Sequence, residues 1–169
     1  MMELNAVLST LEKLEKMHRS LLEIALSKTE VVKANDISQL DSILKTEQAH
    51  VAAIETLELQ RQTQVKQYLT GKGLIASDKP SMMELIAAAQ NESILYKLEE
   101  VRDRLLEVVQ KLKAQNELNQ KLVFQSLQFI NVSLNMMRPQ APQDQINYSD
   151  KEVLRQDKVA KKSYFDSQA

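Results

Sequence analysis

The chain has 169 residues, a formal net charge of −1, 27% charged residues and no cysteine. That fits one domain with a modest core. It offers no basic field for nucleic acid, and no thiol for disulfides, catalysis or metal. With only two glycines, three prolines and 4% aromatics, it lacks the regular turn residues and heavy core of a sheet protein, so an all-α fold is expected. No run of 18 apolar residues suggests a membrane span, and Met1-Met2-Glu3-Leu4 has neither the basic nor the apolar region of a signal peptide. The expectation is therefore a cytoplasmic helical binding protein, not an enzyme.

In chain order, Leu4, Val7, Leu11, Leu14, His18, Leu21 and Ala25 follow the 3-4 spacing of one helix face, widened by Leu8, Leu22 and Leu26. The helix should end near Ala34. Asn35 suits the left-handed position after a helix, and Asp36 with Gln39 reads as a capping box for the next. That second helix carries Ile37, Leu40, Leu44, Val51, Ile54, Leu57, Val65 and Leu69. So short a connection makes the two helices antiparallel.

Gly71, Gly73 and Pro80 mark a loop over 70–80. Ser81 and Glu84 form a capping box ahead of a short helix through Met82, Met83, Leu85 and Ile86. A long helix is expected from about Ser93 to Met137, with the stripe Leu95, Leu98, Leu105, Val109, Leu112, Leu122, Val123, Leu127, Ile130 and Leu134. It would outrun the hairpin it packs against, at about 65 Å. Leu122, Val123, Phe124, Leu127, Phe129, Ile130, Val132, Leu134, Met136 and Met137 exceed what one covering face needs. A partner or a second copy is expected to meet them. The chain is thus read as an elongated antiparallel helical bundle over 1–137 with a tail over 138–169. The Pro- and Gln-rich tail should be disordered alone, yet it holds Val153, Leu154, Val159, Tyr164 and Phe165 behind a third capping box, Ser149 with Glu152. That is the pattern of folding upon binding.

One constellation suggests metal chemistry. Both histidines sit in Glu-x-x-His, as Glu15 to His18 and Glu47 to His50, the pattern of di-iron carboxylate bundles. Glu15 and His50 fall beside the apolar lines rather than on them, and no further pair of inward glutamates stands out. No metal or cofactor site is therefore expected. No nucleotide-binding loop or nucleophile elbow is present either.

Two segments resemble the FlgN family of flagellar export chaperones. The first is Lys28, Val31, Val32, Asn35-Asp36, Leu40, Ile43, Glu47, Ile54, Leu57 and Arg61; Asn35 stands where the family commonly has glycine. The second is Asn116-Glu117-Leu118-Asn119, then Leu122, Ser126, Leu127 and Phe129. The resemblance runs from about Leu4 to Phe129. It implies a chaperone that uses no ATP and shields helical ends of hook-filament junction (hook-associated) proteins until the flagellar type III export apparatus takes them. The partner-binding residues expected on that basis are Asn116, Asn119, Leu122, Val123, Leu127, Ile130 and Leu134, with Val153, Leu154, Tyr164 and Phe165 folding over the client. Asn116 and Asn119 would fix register, as a buried asparagine does in coiled coils. The alternatives are a self-associating coiled-coil homodimer and, more remotely, a Glu-x-x-His metal bundle.

Overall fold

The computed structural model describes residues 2–90 and 92–139, and among these every regular element is helical: α1 (Met2–Lys33), α2 (Ile37–Gly71), α3 (Met82–Ala88) and α4 (Leu95–Met137). The chain divides into a unit Met1–Ser133 and a unit Leu134–Ala169. The bundle described below lies in the first. Of the second, only residues 134–139 are described.

The α1–α2 turn is as short as the sequence suggests, and its hydrogen bonds give the reason. Asn35 takes φ 54°, and the Asn35 and Asp36 amides donate to the carbonyls of Val32 and Val31, both at 3.2 Å. This is a Schellman closure, with asparagine tolerated where glycine is usual. Asp36 also caps α2, its side chain accepting from the Gln39 amide at 3.0 Å. The other half of the expected capping box does not form there, because the Asp36 amide is already spent on Val31. At α3 both halves form: Ser81 accepts from the Glu84 amide, and Glu84 accepts from the Ser81 amide. α3 ends before α4 begins, so the two are separate helices.

Side-chain bonds fix the helix directions. Thr10 meets Gln64, Ser20 meets His50 and Lys28 meets Glu47, so α1 and α2 run antiparallel. Glu15 meets Arg104 and Thr29 meets Gln115 and Asn119, so α4 runs parallel to α1. Among the described residues, Cα atoms of different helices come within 8 Å only between α1 and α2 and between α2 and α3. α4 therefore joins both α1 and α2 through side chains, with its backbone no nearer than this to either.

The main core lies near the start of α1. Leu4, Val7, Leu11 and Leu14 pack with Val65, Tyr68 and Leu69 of α2, Leu85 of α3 and Leu98 and Val101 of α4. A smaller cluster joins Leu21, Ala25 and Leu112. The phase of α4 differs from the expected stripe: Val101 and Val108 are buried, whereas Val109 is exposed. The buried series Leu98, Val101, Val108, Leu112 and Asn119 follows a 3-4 repeat through half-buried Leu105 and Gln115, the seam expected of helices packed at a shallow angle.

α2 departs most from expectation. Its second half is anchored: Val65, Tyr68 and Leu69 are buried, and Arg61 holds Glu58 through two nitrogens while donating to the Pro80 carbonyl at 3.1 Å. Its first half is not. Ile37, Leu44 and Val51, read from the sequence as core-facing, are exposed; Ile37 and Leu44 border an open channel between α2 and α4 rather than a packed interface.

Candidate functional site: an apolar groove between α2 and α4

Along the first half of α2, the wall opposite is α4 from Asn116 to Ile130. One stretch of the groove, about 550 Å³, is lined by Leu40, Leu44 and the Lys28–Glu47 pair on one side and by Asn116, Asn119, Gln120, Val123, Phe124 and Leu127 on the other. The next, about 190 Å³, continues it toward the α1–α2 turn, between Val31, Val32, Ile37 and Leu40 and the α4 residues Val123, Ser126, Leu127 and Ile130. The stretches share Leu40, Val123 and Leu127, so they form one channel. From Asn116 to Ile130 it extends about 21 Å, roughly four turns of helix.

The apolar side chains around it are left in water. Phe124 is 61% exposed and Leu127 55%, and Ile130 is also exposed; Phe129 and Val132, exposed as well, line neither stretch. An apolar channel of this kind marks an interaction site more often than a solvated face does.

The sequence-derived site residues separate into groups. Val123, Leu127, Ile130 and Asn116 come together in the groove. Leu122 is half-buried and lines neither stretch. Leu134 is exposed and belongs to the second unit. Val153, Leu154, Tyr164 and Phe165, with the Ser149–Glu152 capping pattern, lie outside the described residues.

Asn119 only borders the groove; it is 2% exposed and its carboxamide is used inside the bundle. Its Nδ2 donates to the Ala25 carbonyl at 2.8 Å, and its Oδ1 accepts from the Thr29 hydroxyl. That hydroxyl accepts in turn from Gln115 Nε2 at 2.6 Å. The Ala25 carbonyl sets the orientation of the amide, since the flipped form would bring two acceptors together. A buried amide with one satisfied arrangement fixes the α1–α4 register.

The opposite wall was missed in the sequence. Leu40 and Leu44 read as core residues of a standard hairpin, and the spacing along α2 held no sign of an open channel between α2 and α4.

The groups of the two Glu-x-x-His segments are engaged locally. Glu15 accepts from Arg19 and Arg104, and Glu47 accepts from Lys28 at 3.0 Å. His18 Nδ1 donates to the Leu14 carbonyl. His50 Nδ1 donates to the Thr46 carbonyl, and its Nε2 is hydrogen-bonded to the Ser20 hydroxyl at 2.9 Å. Among the described residues, no group of three or more His, Asp or Glu side chains gathers as a metal site would require.

Glu15 and Glu58 are among the carboxyls held low by their partners, and both are partly buried. For Glu15, burial pushes the pKa up, but hydrogen bonds from Arg104 and Arg19 outweigh it and the net shift is downward. For Glu58, the Arg61 hydrogen bond lowers the pKa against the opposing effect of burial. A carboxyl held below its ordinary 4.5 adds stability that is complete above that value and lost as pH falls through the lowered one. Thermal unfolding from about pH 6 to about pH 3 should show Tm level and then falling. In Glu58→Gln the acid-side fall should be shallower; an identical fall would exclude Glu58 as a source.

Comparison with known proteins places these features in a family. The model of the FlgN protein family matches residues 1–155. The chain is 30% identical to the uncharacterized protein YvyG of Bacillus subtilis (strain 168) over 168 residues, which is 99% of this chain and 100% of the relative. No solved structure matches. The family match covers the whole bundle, with both walls of the groove and the Asn116–Asn119 segment, and the chain belongs to the FlgN family of flagellar export chaperones.

Proposed function

We propose that the α2–α4 groove receives a terminal helical segment of a flagellar hook-associated protein, at the hook-filament junction end of the export pathway, and keeps it from self-association in the cytoplasm until the export apparatus takes it. The observation that carries this reading is the row of exposed apolar side chains, Phe124, Leu127 and Ile130, facing Leu40 and Leu44 across an open channel. Two antiparallel helices with an apolar gap between them match an amphipathic helix docked in a groove. Binding energy comes from burial of apolar area at about 25 cal/mol per Å², so no nucleotide and no catalytic group is needed.

The functional division proposed is a bundle over 1–137 and a client-clasping tail over 138–169, in which Val153, Leu154, Tyr164 and Phe165 cover the far side of the docked helix. Titration of the full chain with terminal segments of hook-associated proteins tests both parts. Binding weakened about tenfold by Leu154→Asp, roughly the value of one buried side chain, supports the tail's role. Binding unchanged by Leu154→Asp removes the tail from the account. Failure of every such segment to bind removes the client assignment, and a concentration-dependent dimer that buries Phe124 and Leu127 would then account for the groove.

A further inference from the structure

The groove is not uniformly apolar, and its polar part bears on what it accepts. Toward the α1–α2 turn the lining is mainly Val31, Val32, Ile37, Leu40, Leu127 and Ile130. About two helical turns away along α4, the lining changes to Lys28, Glu47, Asn116 and Gln120 beside Leu44 and Phe124. Lys28 and Glu47 satisfy each other at 3.0 Å with both side chains mostly buried, so this pair asks for no charge from an occupant. Asn116 and Gln120 differ. They stand one helical turn apart on the same face, and neither makes a side-chain hydrogen bond among the described residues. Asn116 is half-buried before anything docks.

Resting on the groove as the client site, we infer that its occupant is an amphipathic helix whose apolar stripe is broken by a carboxamide side chain, Gln or Asn, opposite Asn116 and Gln120. A wholly apolar helix would cover two carboxamides and leave their donors and acceptors without water or partners, which is costly. A carboxylate could only accept and an ammonium could only donate, and either would lose hydration beside an ion pair that is already balanced. A carboxamide donates and accepts together, so one side chain answers either residue. Placed about two turns from the apolar anchor over Leu127, it would set the register of the docked helix as a polar residue does in a coiled-coil seam.

The test uses the full-length chain and two synthetic helices of about three heptads. They are identical in their leucine stripe except for one central seam position, Gln in the first and Leu in the second. Wild-type protein should bind the Gln helix about tenfold more tightly, the scale of discrimination a hydrogen-bonding site exerts against an apolar analogue. Asn116→Leu with Gln120→Leu should reverse the preference, while Asn116→Gln should keep it. Both exchanges lie on partly or fully exposed positions, and helicity measured by circular dichroism checks the fold. Equal preference in wild type and the double variant, with binding still weakened about 100-fold by Leu127→Asp, overturns the polar-band inference and leaves the groove standing. Binding indifferent to Leu127→Asp, or no binding of either helix, overturns the groove reading and the inference with it.

Discussion

Leu127→Asp should weaken binding of a hook-associated terminal helix about 100-fold while leaving the chaperone folded. Leu127 lies where the two stretches of the groove meet and lines both. An aspartate there would put a carboxylate against Leu40, Val123 and the apolar face of the occupant. Losing a central apolar anchor costs about 2 kcal/mol or more in typical interfaces, and desolvating a charge adds to that. Yet Leu127 is 55% exposed in the free chain, so folding depends on it little and Tm should move by no more than a few degrees, as for exposed positions generally. Isothermal titration with parallel thermal melts separates the two effects. Binding and Tm falling together would mean that Leu127 is part of the fold rather than of the docking surface.

Asn119→Ala is the counterpart, with its effect on stability. The exchange removes the donor to the Ala25 carbonyl and the acceptor for Thr29 at a position 2% exposed. It leaves Gln115 and Thr29 to reorganise around a small void. Loss of buried hydrogen-bond partners and packing should cost about 2–4 kcal/mol, read as a shift in urea midpoint at unchanged slope. Ala25 and Thr29 lie on α1 and Asn119 on α4, so the loss should loosen the α1–α4 contact behind the groove. Client binding should weaken less than in Leu127→Asp, because the lining side chains remain. A variant as stable as the wild type would show that the Thr29–Gln115–Asn119 network does not hold α4 in register.

Much of the fold was legible because it rests on local chemistry. The α1–α2 turn follows from Asn35, which accepts positive φ, and Asp36, which caps the next helix. The separate α3 follows from the Ser81–Glu84 box. The seam of α1 follows from its 3-4 spacing, which needs no knowledge of neighbours. Where a tertiary neighbour decides, the local pattern is ambiguous. Val109 and Val108 are adjacent valines, and spacing alone did not settle which of them faces α1. Leu40 and Leu44 carry the same leucine signal whether a helix covers them or a groove opens beside them, and the open channel between α2 and α4 is a tertiary fact. Asn119 was legible as a polar residue in an apolar seam, but its partners on α1, Ala25 and Thr29, are some 90 residues away in the chain. Val123, Leu127 and Ile130 were legible because apolar residues crowd the end of α4 beyond what one packed face can use.

The most direct measurement is methyl chemical-shift mapping on the full-length chain as a hook-associated terminal helix is added. The methyl resonances of Leu40, Leu44, Val123, Leu127 and Ile130 should move together and saturate at one helix per chain, while those of Leu4, Val7 and Leu98 in the main core stay in place. Shifts confined to Met83 and Leu106, exposed beside α3, with the groove methyls unmoved would contradict it and place the client elsewhere on the bundle.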